Sequence, residues 1–160
     1  MKQWPSLLDK TLDTKWLWSI ILLFFLTAGL ILLFVAKGIG DDGDSAMHYQ
    51  FARYAPAHHE LFFHHWAKPL YVLLASPFAQ FGILGIKVFN LLLSCLSVFI
   101  TWRIAVTLHI KRSTLASLFL VLSPAFIALS LSGLTEPLFA LTLAAAVLLY
   151  LKEKELLAMK

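Results

Sequence analysis

Three carboxylates crowd the run Asp41-Asp42-Gly43-Asp44, and His48 and Arg53 follow within ten residues. Like charges this close raise one another's pKa or recruit a cation. A carboxylate with a raised pKa is suited to take a proton from a hydroxyl near neutral pH. Asp42-Gly43-Asp44 is also a D-x-D triplet, which can hold a divalent ion bound to phosphate. The same triplet is common in turns, so no cofactor is expected and a divalent ion is only an option. Asp44-Ser45 can equally cap a helix over residues 45–54, ended by Pro56. On that helix Asp44 and His48 lie one above the other, Ala52 continues the stripe, and Arg53 sits beside it. Asp44 is thus either a helix cap or the proton acceptor of an Asp–His–Arg surface, and local sequence leaves both open.

Three further places carry chemistry. His58-His59 and His64-His65 form a second cluster, but spacings of five and six do not match the i, i+4 pairing of helical zinc ligands. Phe62, Phe63 and Trp66 interleave with them, which suits a segment at the lipid headgroup level better than a metal site. Lys68-Pro69-Leu70-Tyr71 follows; its lysine either clamps a lipid phosphate or simply snorkels. Glu136, within Thr135-Glu136-Pro137, lies between two apolar runs. It is either a helix start or a costly acid retained for a site.

The elements that hold these residues are apolar. Of 160 residues, 60% are hydrophobic and 14% charged, with a mean hydropathy of +0.82. A soluble domain is about 45–50% apolar and about 25% charged. This balance excludes a disordered chain, a disulfide-rich secreted domain and a coiled coil. A lone cysteine, Cys95, excludes an internal disulfide and a cysteine zinc site. The expected fold class is all-α: polytopic membrane helices, about four spans, with interfacial helices in the first outer loop.

Residues 1–15 read as a cytoplasmic N-terminus and 16–36 as the first span, which is 21 residues without a charge. Residues 37–85 form the outer loop, with an interfacial helix over about 70–82 that Pro69 opens. Residues 86–160 hold the further spans: about 86–108, with Lys87 and Arg103 snorkelling to opposite faces; about 113–131, kinked at Pro124; and a fourth run ending at Leu151. Nine Lys and Arg on the N-terminal side against four on the other place the N-terminus inside. The net charge of +4 therefore reads as membrane anchoring, not nucleic-acid binding.

Asp44-Ser45-Ala46-Met47-His48-Tyr49-Gln50-Phe51-Ala52-Arg53, then Lys68-Pro69-Leu70-Tyr71, Gln80-Phe81-Gly82 and Thr135-Glu136-Pro137-Leu138-Phe139 resemble, in order and spacing, the start of GT-C membrane glycosyltransferases. The protein O-mannosyltransferase-like group (glycosyltransferase family 39 and relatives) is the nearest pattern, with D-E-x-x-Y/H-x-x-x-A-R in its first outer loop. Ser45 departs from it, since the family often has a second acid there, a role Asp42 could fill. The resemblance implies transfer of a sugar from a polyprenyl-phosphate donor to a lipid, protein or glycan hydroxyl, with inversion, at the outer face of a bacterial cytoplasmic membrane. It implies Asp44 as base, with Asp42, His48, Arg53, Lys68, Tyr71 and Glu136 around the substrate. Such enzymes are several times longer, so the chain reads as an N-terminal portion. The alternative from the residues is a small non-catalytic membrane protein, either metal-handling through its loop histidines or structural.

Overall fold

The computed structural model describes residues 16–35, 38, 43–66 and 68–158. The uncharged run after Trp16 forms α1 (Leu17–Val35). Its buried residues Ile21, Phe25, Gly29 and Leu33 recur every four positions, so a single face meets the rest of the protein. Helix α2 (Asp44–Tyr54) follows, then a 3₁₀ turn (His59–Phe63) and α3 (Pro69–Ala79). Helix α4 (Ile83–Thr107) is the longest and the most enclosed. A bent pair, α5 (Ser113–Val121) and α6 (Pro124–Ser130), leads to α7 (Glu136–Ala158). The described residues are helices and turns, with no strand among them.

Helices α1 and α4 are each long and apolar enough to cross a membrane. The α5–α6 pair qualifies only if its halves count as one span, because they meet at 68°. Pro124 causes the break: a proline disfavours the helical conformation at the residue before it. Ser123 is accordingly extended, at ψ 118°, and its hydroxyl accepts the Phe126 N–H to start a new helix. Helix α7 has 23 residues, but its uncharged part, Pro137 to Leu151, falls short of the roughly 20 that a span needs. The helices that pass on length and apolarity are thus two, or three with the bent pair.

Helix α4 is the axis of the packing. On one side Ala52 and Ala55 of α2, Tyr71, Val72, Ala75 and Ala79 of α3, and Leu138 of α7 pack with Ile86, Phe89 and Leu93. On the other, Ile21, Phe25 and Leu33 of α1 and Val121 of α5 pack with Leu91 and Val98. The alanines matter, because small side chains let α2 and α3 approach closely. At one end of α4, Trp18 stacks on Trp102 with ring centroids 4.6 Å apart, and the Arg103 guanidinium lies 5.9 Å from the Trp102 ring. The other end of α4 carries α2, α3 and the turn over residues 131–135.

Two local expectations change. Asp44 does not cap α2: Gly43 occupies the cap position and Asp44 is the first residue of the helix. Gly43 has φ 139°, a conformation open to glycine and strained for other residues. Lys87 does not snorkel: it is only 6% exposed and its ammonium donates to the Gly38 carbonyl. Lys87 therefore meets backbone instead of water.

Candidate functional site

The site is organised by the turn between α6 and α7. Four polar side chains from three helices converge on it, all buried. Asn90, in the first third of α4 and 0% exposed, donates through Nδ2 to the carbonyls of Ser132 and Leu134, at 2.8 Å each. Its Oδ1 and the Gly133 carbonyl are both acceptors for the Tyr71 hydroxyl of α3, at 3.2 and 3.1 Å. Ser45 of α2 accepts the Gly133 N–H at 2.9 Å. His48, one turn further along α2, is 4% exposed and sets its ring edge-on to Tyr71, 5.8 Å between centroids. These bonds satisfy backbone groups that the break at residues 131–135 would otherwise leave buried and unpaired. Burial pushes the Tyr71 hydroxyl pKa well above its ordinary range, the Asn90 hydrogen bond opposes that, and the nearby Glu136 charge adds to it.

Gly133 permits the contact with α2. A Cβ there would lie 2.9 Å from the Ser45 Cβ and 3.0 Å from the Ser45 carbonyl oxygen. The start of α2 therefore rests directly on the turn, and Asp44, one residue earlier than Ser45, is exposed beside it.

A groove of about 350 Å³ opens along the same turn. It is lined by Lys68, Leu70 and Tyr71 from the start of α3 and by Thr135, Glu136, Leu138, Phe139 and Thr142 from the start of α7. Two helix N-termini, each with the partial positive charge of its dipole, thus border it. Lys68 has a left-handed backbone, φ 50°, directly before Pro69. That conformation costs a non-glycine residue of order 1–2 kcal/mol. Strain of this kind persists where the surroundings impose it, and it concentrates at functional sites.

Three of the seven residues singled out from sequence, Lys68, Tyr71 and Glu136, therefore share one groove. Asp44 does not line the groove; it precedes Ser45, whose hydroxyl takes the Gly133 N–H. His48 lies beneath it in the core and does not share an open surface with Asp44. Arg53 is directed elsewhere: its guanidinium donates to the Ala79 and Gln80 carbonyls, at 3.2 and 3.4 Å, closing the C-terminus of α3. Gln80 returns the contact, its Nε2 donating to the Arg53 carbonyl at 3.1 Å. Asp42 lies outside the described residues.

The histidine cluster is part of an aromatic ladder. His64 stacks on Phe51 at 4.8 Å and on His65 at 4.4 Å, and Nδ1 of His64 accepts the Trp66 N–H at 3.3 Å. His58 faces Glu60 at 3.5 Å. Among the described residues no three of His, Cys, Asp and Glu converge as metal ligands do.

Ser45, Asn90 and Gly133 were not anticipated as site residues. Asn90 carried a signal, the one amide side chain in a mostly apolar 25-residue helix. Ser45 and Gly133 carried none, since their meaning lies in a contact across 88 residues of chain. No family model, curated protein or solved structure matches this chain.

Proposed function

We propose that this chain forms the base-bearing and donor-binding part of an integral-membrane glycosyltransferase. It transfers a sugar from a polyprenyl-phosphate donor to an acceptor hydroxyl, with inversion. The observation that supports the reading is the tie from Ser45 through Gly133 to Tyr71, which links the helix that begins at the exposed acid Asp44 to a groove lined by a cation, Lys68. That is the pair the reaction needs. A lipid phosphate leaves as a stabilised anion, so no strong general acid is required. The acceptor oxygen attacks the anomeric carbon, its proton passes to the Asp44 carboxylate, and the bond from that carbon to phosphate breaks with its electrons on the phosphate. Lys68 and the two helix starts stabilise the growing negative charge. Tyr71 and Glu136 line the same groove, Arg53 positions α3, and no metal is needed.

The reading extends to topology. With the N-terminus inside, nine Lys and Arg fall on the cytoplasmic side and four outside. Helix α3 then lies at the outer interface of a bacterial cytoplasmic membrane, and the bent pair supplies a third span. The bonds from residues 132–134 to Ser45, Tyr71 and Asn90 favour this, because they keep the α6–α7 turn at the same end as the outer loop.

The test is sugar transfer from polyprenyl-phosphate donors by the membrane-reconstituted protein. Lys68→Ala is expected to raise the donor KM, and Asp44→Asn to lower kcat. Normal donor KM in Lys68→Ala removes that residue from phosphate binding.

A further inference from the structure

Glu136 does not suit a groove that takes a phosphate alone. Lys68 and the starts of α3 and α7 attract an anion, while a carboxylate on the same wall repels one. The two side chains line one groove, yet they make no ion pair with each other. Opposite charges held apart across a groove match a ligand that carries both charges itself. The rim says whether that ligand is free or lipid-borne. Leu70 and Phe139 border the groove and are exposed, Phe139 by 69%, and Leu73 and Leu143, about one turn further along the same helices, are exposed leucines. The groove thus opens beside surfaces suited to hydrocarbon.

We propose that the groove binds the zwitterionic phosphoethanolamine headgroup of a membrane lipid. The phosphate meets Lys68 and the positive end of the α3 dipole, the ammonium meets Glu136, and the chains leave along Leu70 and Phe139. The primary ammonium matters, because it donates hydrogen bonds to a carboxylate and a quaternary choline has none to donate. This binding goes beyond sugar transfer and does not rest on it; both phosphates would use Lys68, so the headgroup and the sugar donor would occupy the groove in turn and compete for it.

The experiment is native mass spectrometry of the detergent-solubilised protein with phosphatidylethanolamine, phosphatidylglycerol and phosphatidylcholine of matched chains. Phosphatidylethanolamine is expected to be retained about tenfold better than either competitor, the effect of one charge-assisted contact. The preference should collapse in Glu136→Gln, and retention of all three lipids should fall in Lys68→Ala. It should survive a chelator, and free phosphoethanolamine should compete only weakly. Equal retention of the ethanolamine and glycerol lipids by the wild type overturns the proposal, whatever the variants do. So does a preference that persists in Glu136→Gln, or one that a chelator abolishes, which would mean a divalent cation bridging phosphate and carboxylate. Free phosphoethanolamine binding as tightly as the lipid overturns the lipid source. Lipid retention and sugar transfer are separate readouts, so either idea can fail alone.

Discussion

Replacing Asn90 by leucine isolates the bonds that hold the α6–α7 turn against the outer helices. The swap keeps an apolar residue of similar size in α4 and removes three hydrogen bonds: two to the Ser132 and Leu134 carbonyls at 2.8 Å, and one from the Tyr71 hydroxyl at 3.2 Å. Side-chain hydrogen bonds between membrane helices contribute about 0.6 kcal/mol each on average, which gives about 2 kcal/mol for three. Carbonyls left buried without a donor add about 1–3 kcal/mol apiece. The expected loss is therefore about 2 kcal/mol if water replaces the amide and about 4–8 kcal/mol if none reaches the turn. Reversible unfolding in mixed micelles by sodium dodecyl sulfate, followed by helical circular dichroism, measures it. Ser94→Ala is the control. It removes only a bond to the Asn90 carbonyl within the same helix, 2.9 Å long, and should cost under about 0.5 kcal/mol. Hydrogen exchange at residues 132–136 should also rise in Asn90→Leu. If that variant unfolds like Ser94→Ala and the turn stays protected, the turn is held by something other than this amide.

Three other outcomes follow from the same contacts. Gly133→Ala places a methyl 2.9 Å from the Ser45 Cβ, so it should destabilise the protein by about 1–3 kcal/mol and raise hydrogen exchange at the start of α2. Arg53→Ala should cost about 1–2 kcal/mol in the same unfolding assay and leave the donor KM unchanged, because its guanidinium closes α3 and does not face the groove. Tyr71 binds its proton more tightly in the folded protein than in the unfolded chain, where its value is near 10. Its contribution is therefore fully present below about pH 10 and is lost as pH rises beyond that. Tyr71→Phe should remove this alkaline decline, along with the last step of tyrosinate absorbance in an alkaline titration.

Features set by local covalent chemistry were legible in the sequence. Pro69 opens α3 and Pro124 breaks the third apolar run, because a ring without an N–H acts on its own neighbours. The uncharged run after Trp16 became α1 for an equally local reason. The roles of charged side chains were less legible, because they depend on which distant backbone comes near. Arg53 and Lys87 read as cations for a ligand or for water, and both instead meet carbonyls, 26 and 49 residues away in sequence. The candidate site lies between these cases. Lys68, Tyr71 and Glu136 each stood out for a separate reason, and only the turn at 131–135 brings them to one groove. Ser45 had been notable for departing from a family pattern, whereas its fully buried hydroxyl takes the Gly133 N–H.

The central claim is that the Asp44 carboxylate takes the acceptor's proton. Single-turnover sugar transfer by reconstituted Asp44→Asn, at saturating polyprenyl-phosphate donor, tests it most directly. The account predicts a rate lower by about 10²–10⁴-fold with donor affinity kept, since the amide fills the same space and cannot accept that proton. A rate equal to that of the wild type would contradict it.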